Sequence, residues 1–206
     1  MKKWMLVVLV LAGSVSWGQA QIKIGNRTIN TKKVLNAASE VASAITLSDE
    51  DVAALCRESV KWMDEQNPVS DPGSAYSKRL DSLMKKVGEV EGLKLNYKVY
   101  EVVDINAFAC GDGSIRVFSA LMDDDELMAV IGHEIGHVVH TDSKDAMKNA
   151  YLAAAAKSAA GAAGGVLEKL TDSQLGEIAQ ALSNAQFSQK QETEADEYGF
   201  EFCIKH

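Results

Sequence analysis

Apolar positions along this chain follow a helical period, then a strand period, then a helical period again. Between 48 and 66, Val52, Leu55, Val60 and Met63 share one helix face, with Ser48 placed as N-cap and Asp51 in the first turn. The stretch "NPVSDPG", which holds both prolines of the chain, ends that segment. A second helix is predicted over 74–87, turning Leu80, Leu83, Met84 and Val87 inward. "LKLNYKVYEVV" (93–103) then alternates and is rich in β-branched and aromatic residues, so it reads as a strand. "INAFA" and "SIRVFS" flank "CGDG" and read as two short strands joined by a turn. From Asp123 the helical period returns, with helices predicted over 123–140, 143–158, 172–186 and 188–205. Helices, a small sheet, then helices again make an α+β fold.

Two stretches break this pattern. "AAAAKSAAGAAGGVL" (153–167) is the one low-complexity segment, and Gly161, Gly164 and Gly165 weaken the helix its alanines favour. It reads as a helix fraying into a mobile connection, with 153–165 a candidate cover for a neighbouring cleft. At the N-terminus, Lys2 and Lys3 precede an apolar run from Trp4 to Ala12 and a small-residue stretch ending "SWGQA". That order is a secretory signal peptide, 1–20, with cleavage after Ala20. The expected organisation is that leader, an N-terminal helical segment over 21–72, and a catalytic domain over 73–206.

Composition changes the picture in two places. The formal net charge of −8 gives no electrostatic footprint for nucleic acid. An exported chain sits where disulfides persist, so the three cysteines matter. None has CxxC spacing. Cys203 reads as a buried thiol in an apolar helix, and a Cys56–Cys110 bridge is left open.

The candidate chemistry lies in "HEIGHVVH", which gathers three of the chain's four histidines. On a helix, residues four apart lie about 40° around and about 6 Å along the axis, so His133 and His137 share a face and can reach one zinc ion. Glu134 points aside, near enough to act on a water at the metal. Gly132 and Gly136 leave that helix bare for close packing. A catalytic zinc needs a third protein ligand and an open position. His140 lies about 10 Å along the axis from His133, too far for the same ion, and reads as a surface or outer histidine. The third-His position of one protease class is occupied by Ser143. A distant carboxylate remains. In "QKQETEADEYGFEF", Glu192 and Asp196 stand four apart, so one helix face could give Glu192 to the metal while Asp196 accepts the Nδ1 proton of a zinc-bound histidine. Acid runs are more often solvated faces, but an unfilled HExxH upstream favours the functional reading.

"HEIGHV" followed by "FSQKQETEAD", together with "NYKVYEVVDINAFA", "IRVFSALMD" and "LTDSQLG", resembles metallopeptidase family 48. The likeness runs from about Leu47 to Cys203. It implies a zincin-like (gluzincin) domain, mostly helical with a small sheet and an HExxH helix. It implies one Zn2+ held by His133, His137 and Glu192, Glu134 as the base, and Asp196 supporting a ligand. "NAFA", Asn106, Ala107, Phe108 and Ala109, resembles the edge strand that pairs with substrate backbone in that family; taken alone it reads as a short internal strand. The implied activity is a zinc endopeptidase in the periplasm that cuts unfolded or misassembled envelope proteins, with peripheral association with other envelope proteins. A chaperone-like or scaffold protein with little proteolysis is the alternative. Two departures stand out. Family members usually carry a histidine five residues after the second zinc ligand, where this chain has Asp142. They also continue past the equivalent of "CIKH" into a segment with a His-Pro pair and an arginine, so the expectation is either a catalytic domain short at its C-terminus or a natural protein longer than this sequence.

Overall fold

The structure, a computed structural model, describes residues 21–24, 27–30, 47–123, 126–157 and 170–206. The predicted leader over 1–20 and residues 158–165 of the candidate cover lie outside the described residues.

The 21–72 segment is not helical throughout. β1 (Gln21–Ile24) pairs antiparallel with β2 (Arg27–Asn30), with Ile22 opposite Ile29. The β-branched residues on either side of Gly25-Asn26 favour a strand pair, a signal that outweighs the helical expectation. Among the described residues the first helix is α1 (Asp49–Gln66), which Ser48 and Asp51 open with a reciprocal capping box. α2 follows (Ala75–Val87), capped by Ser74.

Three short strands form the sheet: β3 (Asn96–Tyr100), β4 (Ala107–Ala109) and β5 (Ser114–Phe118), in the order β3-β5-β4. The "CGDG" turn joins β4 to β5 antiparallel, while β5 runs parallel to β3. The strand predicted over 93–103 is thus shorter and takes a partner that its alternation does not specify.

Four further α-helices follow among the described residues: α3 (Leu127–Val139), α4 (Asp142–Lys157), α5 (Asp172–Ser183) and α6 (Gln189–Lys205). α3 starts at Leu127, not Asp123; Asp123 lies in a turn, and 124–125 are outside the described residues. Capping boxes at Thr171/Gln174 and Ser188/Gln191 set the starts of α5 and α6.

The sheet separates two apolar cores. On one side Leu55, Cys56, Val60 and Met63 of α1 pack with Tyr100, Phe108, Met147 and Ile178. On the other, Leu80 and Met84 of α2 pack with Ile115, Val117, Ile131, Ile135 and Phe202. Burial of each such large side chain contributes about 1.5–3 kcal/mol. Because α1 supplies Val52, Leu55, Cys56, Val60 and Met63 to the first core, it packs as one body with the predicted catalytic segment. The chain after α1 also seals one sheet edge: Ser70 N–H donates to the Val99 carbonyl at 2.9 Å, and Glu101 N–H to that of Pro68 at 2.8 Å. The opposite edge, β4, has no strand beyond it among the described residues.

α3 and α6 approach each other most closely. A Cβ on Gly136 would stand 3.0 Å from the Ala195 Cα, and one on Gly199 would stand 3.0 Å from the His133 nitrogen. Only small residues at both crossing positions let the backbones come this near. The contact lays the HExxH face of α3 beside the ExxxD face of α6.

Cys203 is exposed, contrary to the sequence expectation. The inward face of α6 runs Ala195, Gly199, Phe202, and position 203 is turned about 100° past Phe202 toward solvent.

Candidate metal centre

At the α3–α6 contact, a ring nitrogen of His133, a ring nitrogen of His137 and a Glu192 carboxylate oxygen all lie within 4.8 Å of one another. The two Nε2 atoms are 3.2 Å apart, and Glu192 Oε2 is 3.5 Å from His133 Nε2. Ligands at tetrahedral angles on bonds of about 2.0–2.1 Å stand about 3.3 Å apart, so these spacings suit one small divalent ion.

The carboxylates behind the two rings point the same way. His133 Nδ1 lies 2.8 Å from Asp196 Oδ1, and His137 Nδ1 lies 2.9 Å from Asp142 Oδ2. A carboxylate opposite Nδ1 selects the tautomer that carries its proton there. With the proton on each Nδ1, the two Nε2 atoms, 3.2 Å apart, would turn their lone pairs toward each other. Two lone pairs and a carboxylate that converge repel unless a cation sits among them. The donor set fits a divalent ion of borderline softness.

The two carboxylate–imidazole pairs differ in setting. Asp196 is 75% exposed, whereas His137 and Asp142 are nearly buried, at 2% and 7%. Asp142 also accepts from Gln191 Nε2 at 2.7 Å, and Gln191 Oε1 closes the capping box that starts α6. One glutamine thus fixes both the α6 terminus and the carboxylate behind His137. Asp142 reaches back because Thr141 adopts φ +68° between α3 and α4. That conformation is costly for a β-branched residue, on the order of 1–3 kcal/mol. Phe187 stacks on the His137 ring with centroids 3.8 Å apart.

Glu134 faces the same cleft, a cavity of about 210 Å³ walled by Asn106–Ala109, His133, His137, Phe187 and Glu192. Burial and the neighbouring Glu192 push its carboxyl up to about 8, against a backbone hydrogen bond from Ala109. A cation beside Glu192 would offset that repulsion.

β4 forms the cleft wall and, among the described residues, lies at the edge of the sheet. Phe118 N–H donates to Asn106 and Cys110 N–H to Ser114, so the even positions face β5. By the antiparallel alternation, the backbone groups of Ala107 and Ala109 face the open edge. The Ala109 carbonyl accepts from Ser143 Oγ at 3.2 Å, and Asn106 Nδ2 donates to the Ser183 carbonyl at 3.0 Å.

Every residue singled out for the site from sequence therefore borders this cleft or touches a side chain that does. His140, read from sequence as a surface or outer histidine, ends α3 on the surface with its ring edge-on to Tyr198. Sequence reasoning missed Asp142, Gln191 and Phe187. Asp142 had signalled itself as a departure from the family pattern, but its role depends on the Thr141 turn, which has no local signature.

Residues 74–206 match Peptidase family M48. The chain belongs to that family. It is 39% identical to Metalloprotease LoiP of Escherichia coli (strain K12) over 191 residues, covering 91% of this chain and 76% of that protein. It is 40% identical to Metalloprotease YcaL of the same organism over 181 residues, covering 86% of this chain and 71% of that one. It is a metalloendopeptidase, and its mostly helical body with a small three-stranded sheet agrees with such a domain.

Proposed function

We propose that this metallopeptidase is a zinc endopeptidase of the zincin-like, gluzincin type that cleaves unfolded or misassembled proteins of the cell envelope. The observation that carries the zinc assignment is the convergence of the two imidazole Nε2 atoms and the Glu192 carboxylate at tetrahedral spacing. His133, His137 and Glu192 are the ligands, and Asp142 and Asp196 hold the two imidazoles in orientation. Bound zinc supplies Lewis acidity, which lets water lose a proton near neutral pH and draws charge from a carbonyl oxygen. Glu134 takes the water proton as the oxygen adds to the scissile carbonyl, then delivers it to the leaving amine. A substrate strand lies along β4 and pairs with the outward backbone groups of Ala107, beside Asn106, Phe108 and Ala109. Backbone pairing demands an extended segment, which a folded protein rarely offers, and this supports an unfolded substrate class. The leader-like sequence over 1–20 supports export to the periplasm. Among the described residues no helix is long and apolar enough to cross a membrane.

Cleavage of casein by the metal-loaded protein tests this reading. A chelator should abolish cleavage, zinc should restore it, and Glu134→Gln should reduce kcat by about 10²–10⁴-fold while zinc stays bound. Cleavage indifferent to chelator, or a fully active Glu134→Gln protein, would refute the mechanism. Absence of cleavage by well-folded, zinc-loaded protein would favour the client-holding alternative.

A further inference from the structure

We propose that Cys56 and Cys110 form a disulfide that braces the edge strand of the cleft against α1. The two sulfurs lie within 4.8 Å of each other in the core between α1 and the sheet, and both side chains are buried, at 0% and 1% exposure. The cysteines come from different elements, one in the middle of α1 and one directly after β4. Among the described residues Asp112 offers the one other candidate ligand atom within that distance, and its carboxylate is already committed. Oδ1 accepts from Ser114 N–H at 3.1 Å and Oδ2 from Ser114 Oγ at 2.9 Å. Two facing thiols with no free third ligand suit a bond between sulfurs better than a metal.

The position gives the bond a consequence. Cys110 follows Ala109, whose carbonyl holds Ser143 and whose backbone reaches Glu134. Cys110 N–H also donates to the Ser114 carbonyl, and its own carbonyl accepts from Gly113, so it anchors the turn that aligns β4 on β5. A covalent link to α1 fixes the end of β4 nearest the catalytic glutamate. The third cysteine, Cys203, lies exposed on α6 and takes no part.

Formation follows thiol–disulfide exchange with a disulfide donor such as oxidised glutathione. One cysteine thiolate attacks the donor disulfide and releases one donor thiol. The second cysteine thiolate then displaces the other donor thiol, so two electrons and two protons pass to the donor. In the folded chain the hydrogen bond to Cys56 and burial hold the Cys110 thiol well above its ordinary range. The exchange therefore belongs to folding, before α1 covers the pair.

In the cell this bond rests on the proposed export, because it needs an oxidising compartment. A refolding experiment supplies the oxidant itself, and its readouts do not depend on proteolysis, so either reading can fail alone. The full mature chain, refolded in a mixture of oxidised and reduced glutathione, is unfolded in denaturant with an alkylating agent and weighed. One modified thiol per chain is expected, at Cys203, with Cys56 and Cys110 recovered in one linked peptide. Reduction should raise the count to three and lower Tm by about 5–15 °C. A Cys56→Ala, Cys110→Ala double variant should have a Tm that no longer responds to reductant. Three modifiable thiols after oxidative refolding, or a link to Cys203, would overturn the bond. An equal Tm for oxidised and reduced wild-type protein would overturn the brace. Should the double variant fail to fold, the wild-type thiol count and reduction step decide alone.

Discussion

Two polar clusters flank the sheet, and they are completed differently. On the α1 face, Asp64 receives Arg116 in a two-pronged pair at 2.8 and 3.0 Å, Lys98 at 2.7 Å and Tyr100 at 2.7 Å. The remaining guanidinium nitrogen donates to the carbonyls of Asn96 and Ile115. Arg116 is 2% exposed, yet each of its nitrogens has a partner. At the α3–α6 contact the opposite holds. His133 and His137 meet carboxylates behind, through Nδ1, and in front their Nε2 atoms converge with the Glu192 carboxylate. A finished network stabilises a fold, whereas one left open toward a single point is arranged for something that binds there.

Breaking the closed cluster should have the largest effect. Asp64→Ala leaves the buried Arg116 charge without its carboxylate, which costs about 3–5 kcal/mol of stability. Urea denaturation should show that loss, while zinc affinity of the protein that remains folded stays near wild type. A loss under about 1 kcal/mol, the scale of an exposed ion pair, would mean that Arg116 finds other compensation and that the two clusters differ less than their geometry suggests.

The open cluster can be weakened without touching a ligand. Asp142→Asn keeps the size of the side chain but cannot hold the His137 tautomer as a carboxylate does, so zinc affinity should fall by about 10–100-fold. Asp196→Asn should do less, because Asp196 is 75% exposed and water competes for the same imidazole proton. Zinc competition against a chromophoric chelator ranks the two. Equal effects would remove the distinction between a buried and a solvated support.

The ease of reading these features from sequence follows from how local each one is. His133 and His137 are neighbours by helix periodicity alone, and the capping boxes at Ser48 and Ser188 lie within four residues. The meeting of α3 with α6 was signalled at long range only by bare glycines at 132 and 136 and by an ExxxD without a partner. The parallel β3–β5 pairing carries no local mark, since alternation names a face and not a neighbour. Asp142 illustrates the limit. Its part in the site needs Thr141 in a conformation its side chain disfavours, and only the assembled contact shows why the chain adopts it. The strands at 21–30 are a different matter, because their β-branched pattern around Gly-Asn was available and the helical expectation overlooked it.

The smallest effect is a pH dependence that separates the clusters. Burial by itself would raise the Asp64 carboxyl, but the hydrogen bonds from Arg116, Lys98 and Tyr100 outweigh it and hold the group at about 2. A folded-state value below the unfolded one means that the native protein gives up this proton more readily. The resulting stabilisation is complete above the unfolded value, near 4, and drains away as pH falls toward 2. With solvent screening of the part-exposed carboxylate, it amounts to about 1–2 kcal/mol. Stability measured between pH 6 and pH 2 in the presence of chelator, so that metal loss adds nothing, should fall more steeply for wild type than for Asp64→Asn. The gap between the two proteins should narrow by that amount across the interval. A gap constant with pH would mean that Asp64 titrates alike in the folded and unfolded chain, and that the closed cluster gains its stability from packing around Arg116 instead of from its charge.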